Sequence, residues 1–530
     1  MPTITIDQRE VVVPKGATIL DAAQRIGLEI PTLCYLKGYT ASTSCLVCIV
    51  KVGGRLVPSC ATVAVEGMQV ESETDEVHHV RRTALELLLS DHVGDCLAPC
   101  HFACPAHMDI PLMLRQINSE NLREAIATIK QDIALPAVLG RVCPKPCEKG
   151  CRRSGADGAV AICDLKRFAA DQDLASPRPY LPARQPDTGR SVAVVGAGPT
   201  GLSAAYYLRR EGHQVTIYEQ ESQLGGRLRR EFGADELPPD VLDAEIATIT
   251  ALGIETRLEM RLGRDLALEG LLERHDAVLI ACGAVGGGTV ESWQLKSTPR
   301  GVDVDKETYA TSRQGVFAAG NAIRTKGLVV RSVADGKEAA AAIGQFLAGR
   351  DVAGAPKAFS SRIGKLTTEE LEAFVAGGDT RPRQDPLSKT AGFEPALAVE
   401  QAGRCLHCDC RALHTCKLKR YAEMYGADPT RYKGERAVFH QDLRHSMVIY
   451  EPGKCINCGL CIEIATLASE PLGLTFIGRG FDVRVGVPFD RSMAEALGKV
   501  AEKCVEACPT AALSLRDNHC LCNVQILREM

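Results

Sequence analysis

Residues 191–219 read SVAVVGAGPTGLSAAYYLRREGHQVTIYE, and the fold of the middle of the chain turns on this stretch. Val192 to Val195 is a continuous apolar run, the pattern of a strand buried on both faces. Gly196, Gly198 and Gly201 follow as G-x-G-x-x-G, with Pro199 between them. The first glycine permits a tight turn, the second lets a pyrophosphate approach the backbone, and the third lets a helix pack on the strand. Leu202 to Arg210 reads as that helix, whose N-terminal N–H groups and dipole favour anions. Val215 to Tyr218 is the next strand. It ends at Glu219, 18 residues after Gly201, where a ribose hydroxyl would be held. The order of strand, glycines, helix, strand and acid predicts a dinucleotide site in a Rossmann-like α/β domain.

Two further motifs name the dinucleotide. Gly225-Gly226-Arg227 follows directly, and Gly315-Val-Phe-Ala-Ala-Gly320-Asn321 comes downstream. Together they resemble the two FAD fingerprints of the glutamate synthase small-subunit family of flavoproteins. The resemblance implies FAD, with the family's usual aspartate replaced by Asn321, whose amide still hydrogen-bonds a hydroxyl. Cys282-Gly283 stands where those relatives have Thr-Gly, so Cys282 reads as a stand-in at a turn near the cofactor. The relatives then carry an NAD(P)H-binding fold. Here only 31 residues, Ala284 to Gln314, separate Gly283 from Gly315, and a βαβ dinucleotide fold needs roughly a hundred. The expectation is a flavoprotein without a seat for a hydride donor.

The whole chain has 530 residues, enough for several domains, and a net charge of −4 with no basic stripe, which argues against nucleic acid as a partner. PTITIDQREVVV at the N-terminus alternates and carries charge, so it reads as a strand rather than a signal peptide. No apolar run approaches the ~20 residues of a membrane span. Twenty-three cysteines, bunched at short spacings and often followed by proline, argue for metal clusters in a reducing cytoplasm rather than disulfides.

The cysteines fall into groups. Residues 3–13 read as a hairpin and Thr18 to Gly27 as a short helix capped at Thr18. Cys34, Cys45, Cys48 and Cys60 then offer four soft ligands for a [2Fe–2S] cluster, with structural zinc as the alternative. This segment resembles the N-terminal ferredoxin domain of the large iron–sulfur subunit of NADH dehydrogenase and of iron hydrogenases. Cys96, Cys100, Cys104 and Cys143, Cys147, Cys151 form two trios separated by helical periodicity. They resemble the helical domain of the glutamate synthase small subunit, which implies two [4Fe–4S] clusters and eight ligands. His92 falls where that family has another cysteine, and it also resembles the histidine ligand of the NADH dehydrogenase large subunit. A helix-end cation is its other reading. The resemblance aligns the eighth position, a Glu or Gln in that family, with Lys166, which as an ammonium cannot ligate iron; Cys163 is the nearest substitute, with a small buried hydrophobe as its other reading.

Cys405, Cys408, Cys410 and Cys416 lie within twelve residues and predict a [4Fe–4S] cluster, with tetrahedral zinc the alternative. Cys455, Cys458 and Cys461 with the remote Cys508-Pro509 resemble a bacterial ferredoxin with one cubane, Cys504 being a remnant of a second. Cys520 and Cys522 have no assignment.

The predicted organisation is multidomain, α/β and α+β. A β-grasp ferredoxin occupies 1–78, a helical iron–sulfur domain 79–175 and a Rossmann-like FAD domain 189–350. A linker at 351–403, a cysteine-rich module at 404–435 and a bacterial-ferredoxin-like domain at 436–530 follow. One FAD, one [2Fe–2S] and three to four [4Fe–4S] clusters describe a subunit that carries electrons. Electron bifurcation at the FAD is compatible with this set. The resemblances imply an NADH-oxidising flavoprotein as one partner and a terminal enzyme of hydrogenase, formate dehydrogenase or low-potential reductase type, or ferredoxin, as the other. The alternatives are a self-sufficient NAD(P)H-dependent oxidoreductase and a structural iron–sulfur scaffold. No Ser/His/Asp or paired-carboxylate constellation is committed to substrate chemistry.

Overall fold

The computed structural model of the chain describes residues 1–388 and 391–516; Cys520 and Cys522 lie outside them. The chain divides into two compact units.

The first unit gathers Met1–Ala98, Ala358–Gly377 and the chain from His407. Its N-terminal part is a five-stranded sheet in the order Arg9–Val12, Thr3–Ile6, Gln69–Glu71, Ile49–Val52, Arg55–Pro58. Thr3–Ile6 pairs antiparallel with its hairpin partner and parallel with Gln69–Glu71. The helix Ile19–Arg25 starts at a capping box, Thr18 with Asp21, and buries Ile19, Leu20, Ala22 and Ala23 against Ile4, Ile6 and Val50. The expected β-grasp architecture follows from period-2 strands covered by one helix face.

Asp75–Ser90 is a helix whose Arg81 is fully buried, donating to the Ile49 carbonyl at 3.0 Å and the Tyr425 hydroxyl at 2.7 Å. In the C-terminal part Val448–Tyr450 pairs antiparallel with Leu513–Leu515, and the helices Leu460–Leu467 and Ala501–Ala507 pack beside them. A helix at Thr368–Ala376 also belongs here. It opens on a second capping box, Thr367 with Glu370, and Arg436 grips the Glu370 carboxylate, holding its pKa down at about 2.

The second unit comprises Pro99–Lys357 and Gly378–Leu406. Helices Ile110–Asn118, Leu122–Asp132, Pro136–Val142 and Ile162–Leu174 form its helical part. Beside them an all-parallel sheet runs in the order Val316–Ala318, Ala277–Ile280, Ser191–Val195, Gln214–Tyr218, Glu255–Arg257. Helices Pro199–Arg210 and Val329–Leu347 pack against each other, and Gly336 permits it: a Cβ there would lie 2.3 Å from the Thr200 carbonyl oxygen. Between residues 284 and 314 stand only a short helix, Gly287–Ser292, and a hairpin of two-residue strands, Ser297–Thr298 with Gly301–Val302.

The stretch 351–403, read as linker, carries the helices Thr368–Ala376 and Pro395–Ala402 and is shared between the two units. Both helices are short, and their Gly-, Pro- and Arg-rich flanks obscure the apolar period. Tertiary partners such as Arg436 stabilise them.

Candidate dinucleotide cavity and cysteine groups

The parallel sheet ends at a cavity of about 780 Å³, in the size range of cofactor sites. Gly196, Gly198 and Pro199 form one wall, Glu219 another, and Gly226, Arg227 and Asn321 close it from later in the chain. Cys282 and Gly283 also line it. Gly201, Gly225 and Gly320 are set behind the wall. A Cβ on Gly201 would lie 1.9 Å from the Gly196 oxygen, and one on Gly320 would lie 2.1 Å from Thr200 Oγ1. Gly198 is different: a Cβ there meets no protein atom within 4 Å. The cavity itself is what keeps that position open.

Glu219 is buried, and its Oε2 accepts the Ala197 N–H at 2.7 Å while Oε1 accepts the Glu221 N–H at 3.0 Å. Each oxygen retains a lone pair for a hydroxyl donor. Arg227 Nη1 donates to the Gly327 carbonyl at 2.7 Å, fixing the guanidinium at the rim. Asn321 Oδ1 is buried without a hydrogen-bond partner. An orphaned acceptor in a cavity wall costs about 1–3 kcal/mol, and a cofactor hydroxyl would relieve it. Desolvation pushes the Cys282 thiol up to about 12, which keeps it protonated and unreactive.

Sequence reasoning missed Met260, Arg261 and Trp293, which also line the cavity. They come from segments without a motif. Trp293, the chain's one tryptophan, lies in the short segment that follows Gly283.

The cysteines collect in small sets. In the β-grasp part all four are buried, and they pair, Cys34 with Cys45 at 3.2 Å and Cys48 with Cys60 at 3.3 Å between sulfurs. Two pairs of thiols suit two irons with two protein ligands each.

In the second unit Cys104, Cys143, Cys147 and Cys163 surround Lys166, which is 4% exposed. A buried ammonium requires opposite charge. The groups raising its pKa are these four cysteines, Cys163 first, with no carboxylate among them. Burial pushes the Cys147 thiol up to about 12, and the hydrogen bond to Cys143 with burial raises Cys163, so an anionic cluster rather than free thiolates fits that need. Cys163 hydrogen-bonds Cys143, which with Lys166 nearby brings the Cys143 thiol down to about 7. Helix Pro99–Ala103 packs on Pro146–Lys149 so closely that a Cβ on Gly150 would lie 2.6 Å from that of Ala103. Cys100, Cys151 and Cys405 are half-buried at the edge of the same core.

In the first unit Cys455, Cys458, Cys461 and Cys508 line one apolar cavity with Tyr450, Val485 and Leu513. Cys504 does not line it; it is fully buried in the neighbouring core, Sγ 3.8 Å from the Cys461 carbonyl. A second small cavity is lined by His92, Cys96, Cys410 and Cys416. Of the four cysteines of residues 405–416, Cys410 and Cys416 line this cavity. Burial, with Lys454 and Lys433 nearby, lowers the His92 pKa to about 3, so its imidazole is neutral and keeps a lone pair.

Family models match three stretches. Residues 1–75 match a 2Fe-2S iron–sulfur cluster binding domain, 78–177 the 4Fe-4S cluster domain II of dihydropyrimidine dehydrogenase, and 194–258 an NAD(P)-binding Rossmann-like domain. The NAD-dependent dihydropyrimidine dehydrogenase subunit PreT of Escherichia coli (strain K12) is 34% identical over 324 residues, 59% of this chain and 73% of that protein. The chain belongs to the PreT family.

Two further relatives resemble it over shorter spans. The NADP(+)-dependent formate dehydrogenase subunit beta of Moorella thermoacetica is 42% identical over 207 residues, 35% of this chain and 29% of that one. The NADPH-Fe(3+) oxidoreductase subunit beta of Geobacter sulfurreducens (strain DL-1 / KN400) is 39% identical over 217 residues, 40% and 30% of the respective chains. The chain thus spans less than a third of the length of these two subunits. As a PreT-family member it is an oxidoreductase-type protein with 2Fe-2S, 4Fe-4S and Rossmann-like domains. Among the described residues no helix is long and apolar enough to cross a membrane.

Proposed function

We propose that the chain is an electron-transfer subunit that holds FAD in the cavity below Gly198 and passes electrons between it and its iron–sulfur centres. An NADH-oxidising flavoprotein and a low-potential terminal enzyme, or ferredoxin, are its partners. The observation that carries this reading is the shortness of residues 284–314. Among the described residues, 284–314 build a short helix and a hairpin and no βαβ fold to seat a nicotinamide. The printed names of the relatives, subunits of formate dehydrogenase and of an NADPH-Fe(3+) oxidoreductase, support a place in a larger redox assembly.

In this reading FAD supplies the exchange of a pair of electrons for single ones. The chain's own residues position it. Gly198 and the following helix N-terminus face the pyrophosphate, Glu219 the adenosine ribose, and Asn321 a hydroxyl of the flavin side chain. Anaerobically purified protein is expected to contain one FAD and about five iron–sulfur centres, one of them [2Fe–2S]. Flavin and iron analysis, followed by dithionite titration, tests this. Flavin-free protein whose clusters resist dithionite would establish the scaffold reading instead.

Two variants examine the ligand sets. Cys508→Ser is expected to remove one [4Fe–4S] signal, and Cys504→Ser to leave the cluster count unchanged, since only Cys508 lines the cavity. The reverse outcome, read by electron paramagnetic resonance and iron content, refutes that ligand set. Lys166→Met is expected to lower the midpoint potential of the centre held by Cys104, Cys143, Cys147 and Cys163. A unit charge about 6 Å away at an effective dielectric of about 20 contributes roughly 3 kcal/mol, or ~100 mV for one electron. A redox titration with no shift in any centre would refute the placement of a cluster there.

A further inference from the structure

The cavity lined by His92, Cys96, Cys410 and Cys416 joins ligands that lie more than three hundred residues apart in sequence. We propose that these four side chains bind one [4Fe–4S] cluster through three thiolates and an imidazole, and that the flavin-bearing unit is inserted in the chain between its second and third ligands.

Several observations converge. All four donors belong to the first unit, whereas the intervening Pro99–Lys357 and Gly378–Leu406 form the second. The two halves of the site are joined directly, the Cys410 N–H donating to the Cys96 carbonyl at 3.1 Å. A returning strap closes the cavity over the His92–Cys96 loop. In it Ser361 Oγ donates to the Gly94 carbonyl at 2.8 Å and lies 3.5 Å from Cys96 Sγ, and Ile363 N–H donates to Asp95 Oδ1 at 2.9 Å. Phe359, from the same strap, and Leu89, Leu413 and Leu418 supply apolar walls. The site therefore repeats the build of the neighbouring ferredoxin cavity, four donors in an apolar pocket, where the C-x2-C-x2-C…C-P spacing specifies a cubane.

A Cβ on Gly94 would lie 2.8 Å from His92 Nε2 and 2.9 Å from Lys454 Cε, so the glycine lets the loop pack against both side chains. The donor set of soft thiolates and an imidazole suits zinc as well as an iron–sulfur cluster. The four donors line one cavity, and the metal content of the protein decides between the two.

The position also suits electron transfer. Cys416 Sγ lies 3.8 Å from the Pro509 carbonyl oxygen, next to Cys508 of the ferredoxin site, and the Leu418 N–H donates to the same carbonyl at 3.2 Å. Cys34 and Cys45 share one apolar core with Cys416 and Cys458. The first unit thus holds three cysteine sites in sequence, the β-grasp, the split and the ferredoxin ones.

The test uses the full chain, purified anaerobically and reduced with dithionite. Pulsed electron paramagnetic resonance of the wild type is expected to show one reduced cluster with strong coupling to a ligand nitrogen. His92→Cys is expected to abolish that coupling while the iron content stays unchanged. Cys410→Ser and Cys416→Ser are each expected to remove the nitrogen-coupled signal and about four iron atoms per chain. Cys100→Ser is expected to leave the signal in place. Absence of nitrogen coupling in the wild type overturns the proposal. So does its loss in Cys100→Ser with survival in Cys410→Ser, the outcome expected if the contiguous trio were its ligands. One zinc per chain that disappears in Cys410→Ser, with iron unaffected, also overturns it.

Discussion

Stopped-flow absorbance of the purified single chain is expected to show no bleaching of the flavin by NADH or NADPH within minutes, whereas dithionite reduces it promptly. Hydride transfer requires the nicotinamide and flavin rings to be held in near-attack contact, and that positioning accounts for ~7–11 kcal/mol of barrier. Residues 284–314, where the resemblance places an NAD(P)H-binding fold, do not build one. From Gly283 to Gly315 the chain builds only the helix Gly287–Ser292 and a two-residue hairpin. Neither offers a glycine turn leading into a long helix at the end of a parallel strand, the arrangement that holds a second dinucleotide's phosphates. Direct reduction should therefore be slower by roughly five to eight orders of magnitude. Prompt bleaching with partners excluded would replace the electron-transfer subunit with the self-sufficient oxidoreductase. The name of the PreT relative makes the experiment pointed, since that protein is described as NAD-dependent.

The second large effect distinguishes two glycines three residues apart. Gly198→Ala is expected to leave the thermal stability of the flavin-free chain within about 1 °C of wild type, while flavin affinity falls by at least ~100-fold. Its Cβ meets no protein atom within 4 Å and would stand in the cavity, where the pyrophosphate must approach the backbone. Gly201→Ala is expected to act on the fold instead. Its Cβ would lie 1.9 Å from the Gly196 oxygen, so helix and strand must separate. Overpacking of this kind costs about 1–3 kcal/mol or more, lowering the melting temperature as well as flavin retention. Fluorimetric flavin titration and calorimetry of both variants read the two effects separately. Equal flavin affinity in Gly198→Ala and wild type would show that no dinucleotide lies against that turn.

The local architecture was largely legible from residue patterns. The glycine spacing after Val195, the alternating strands around Thr3–Val12 and the cap at Thr18 each depend on interactions within about thirty residues. Local sterics, side-chain period and capping chemistry therefore specify them. The short segment after Gly283 was legible for the same reason, because too few residues cannot build a βαβ unit. The helices at Thr368–Ala376 and Pro395–Ala402 were not. The first depends on Arg436, which pairs with Glu370, and the second on partners such as Asn118, which donates to the Val399 carbonyl, and neither pairing leaves a trace in a local window.

The cysteines divide along the same line. Residue type and spacing were enough to mark soft ligand sets and the ferredoxin-like run from Cys455 to Cys461. Which thiols share a site was a different matter. Proximity in the chain suggested one group from Cys405 to Cys416 and two trios, Cys96 to Cys104 and Cys143 to Cys151, joined by His92. The cavity lined by His92 and Cys96 also takes Cys410 and Cys416, and Cys104 stands with Cys143, Cys147 and Cys163 around Lys166. The physical reason is that a cluster pocket must be walled by apolar side chains and closed by backbone hydrogen bonds. Only the packed units bring Leu89, Phe359 and Leu418 together, so only tertiary structure decides which sulfurs face the same cavity.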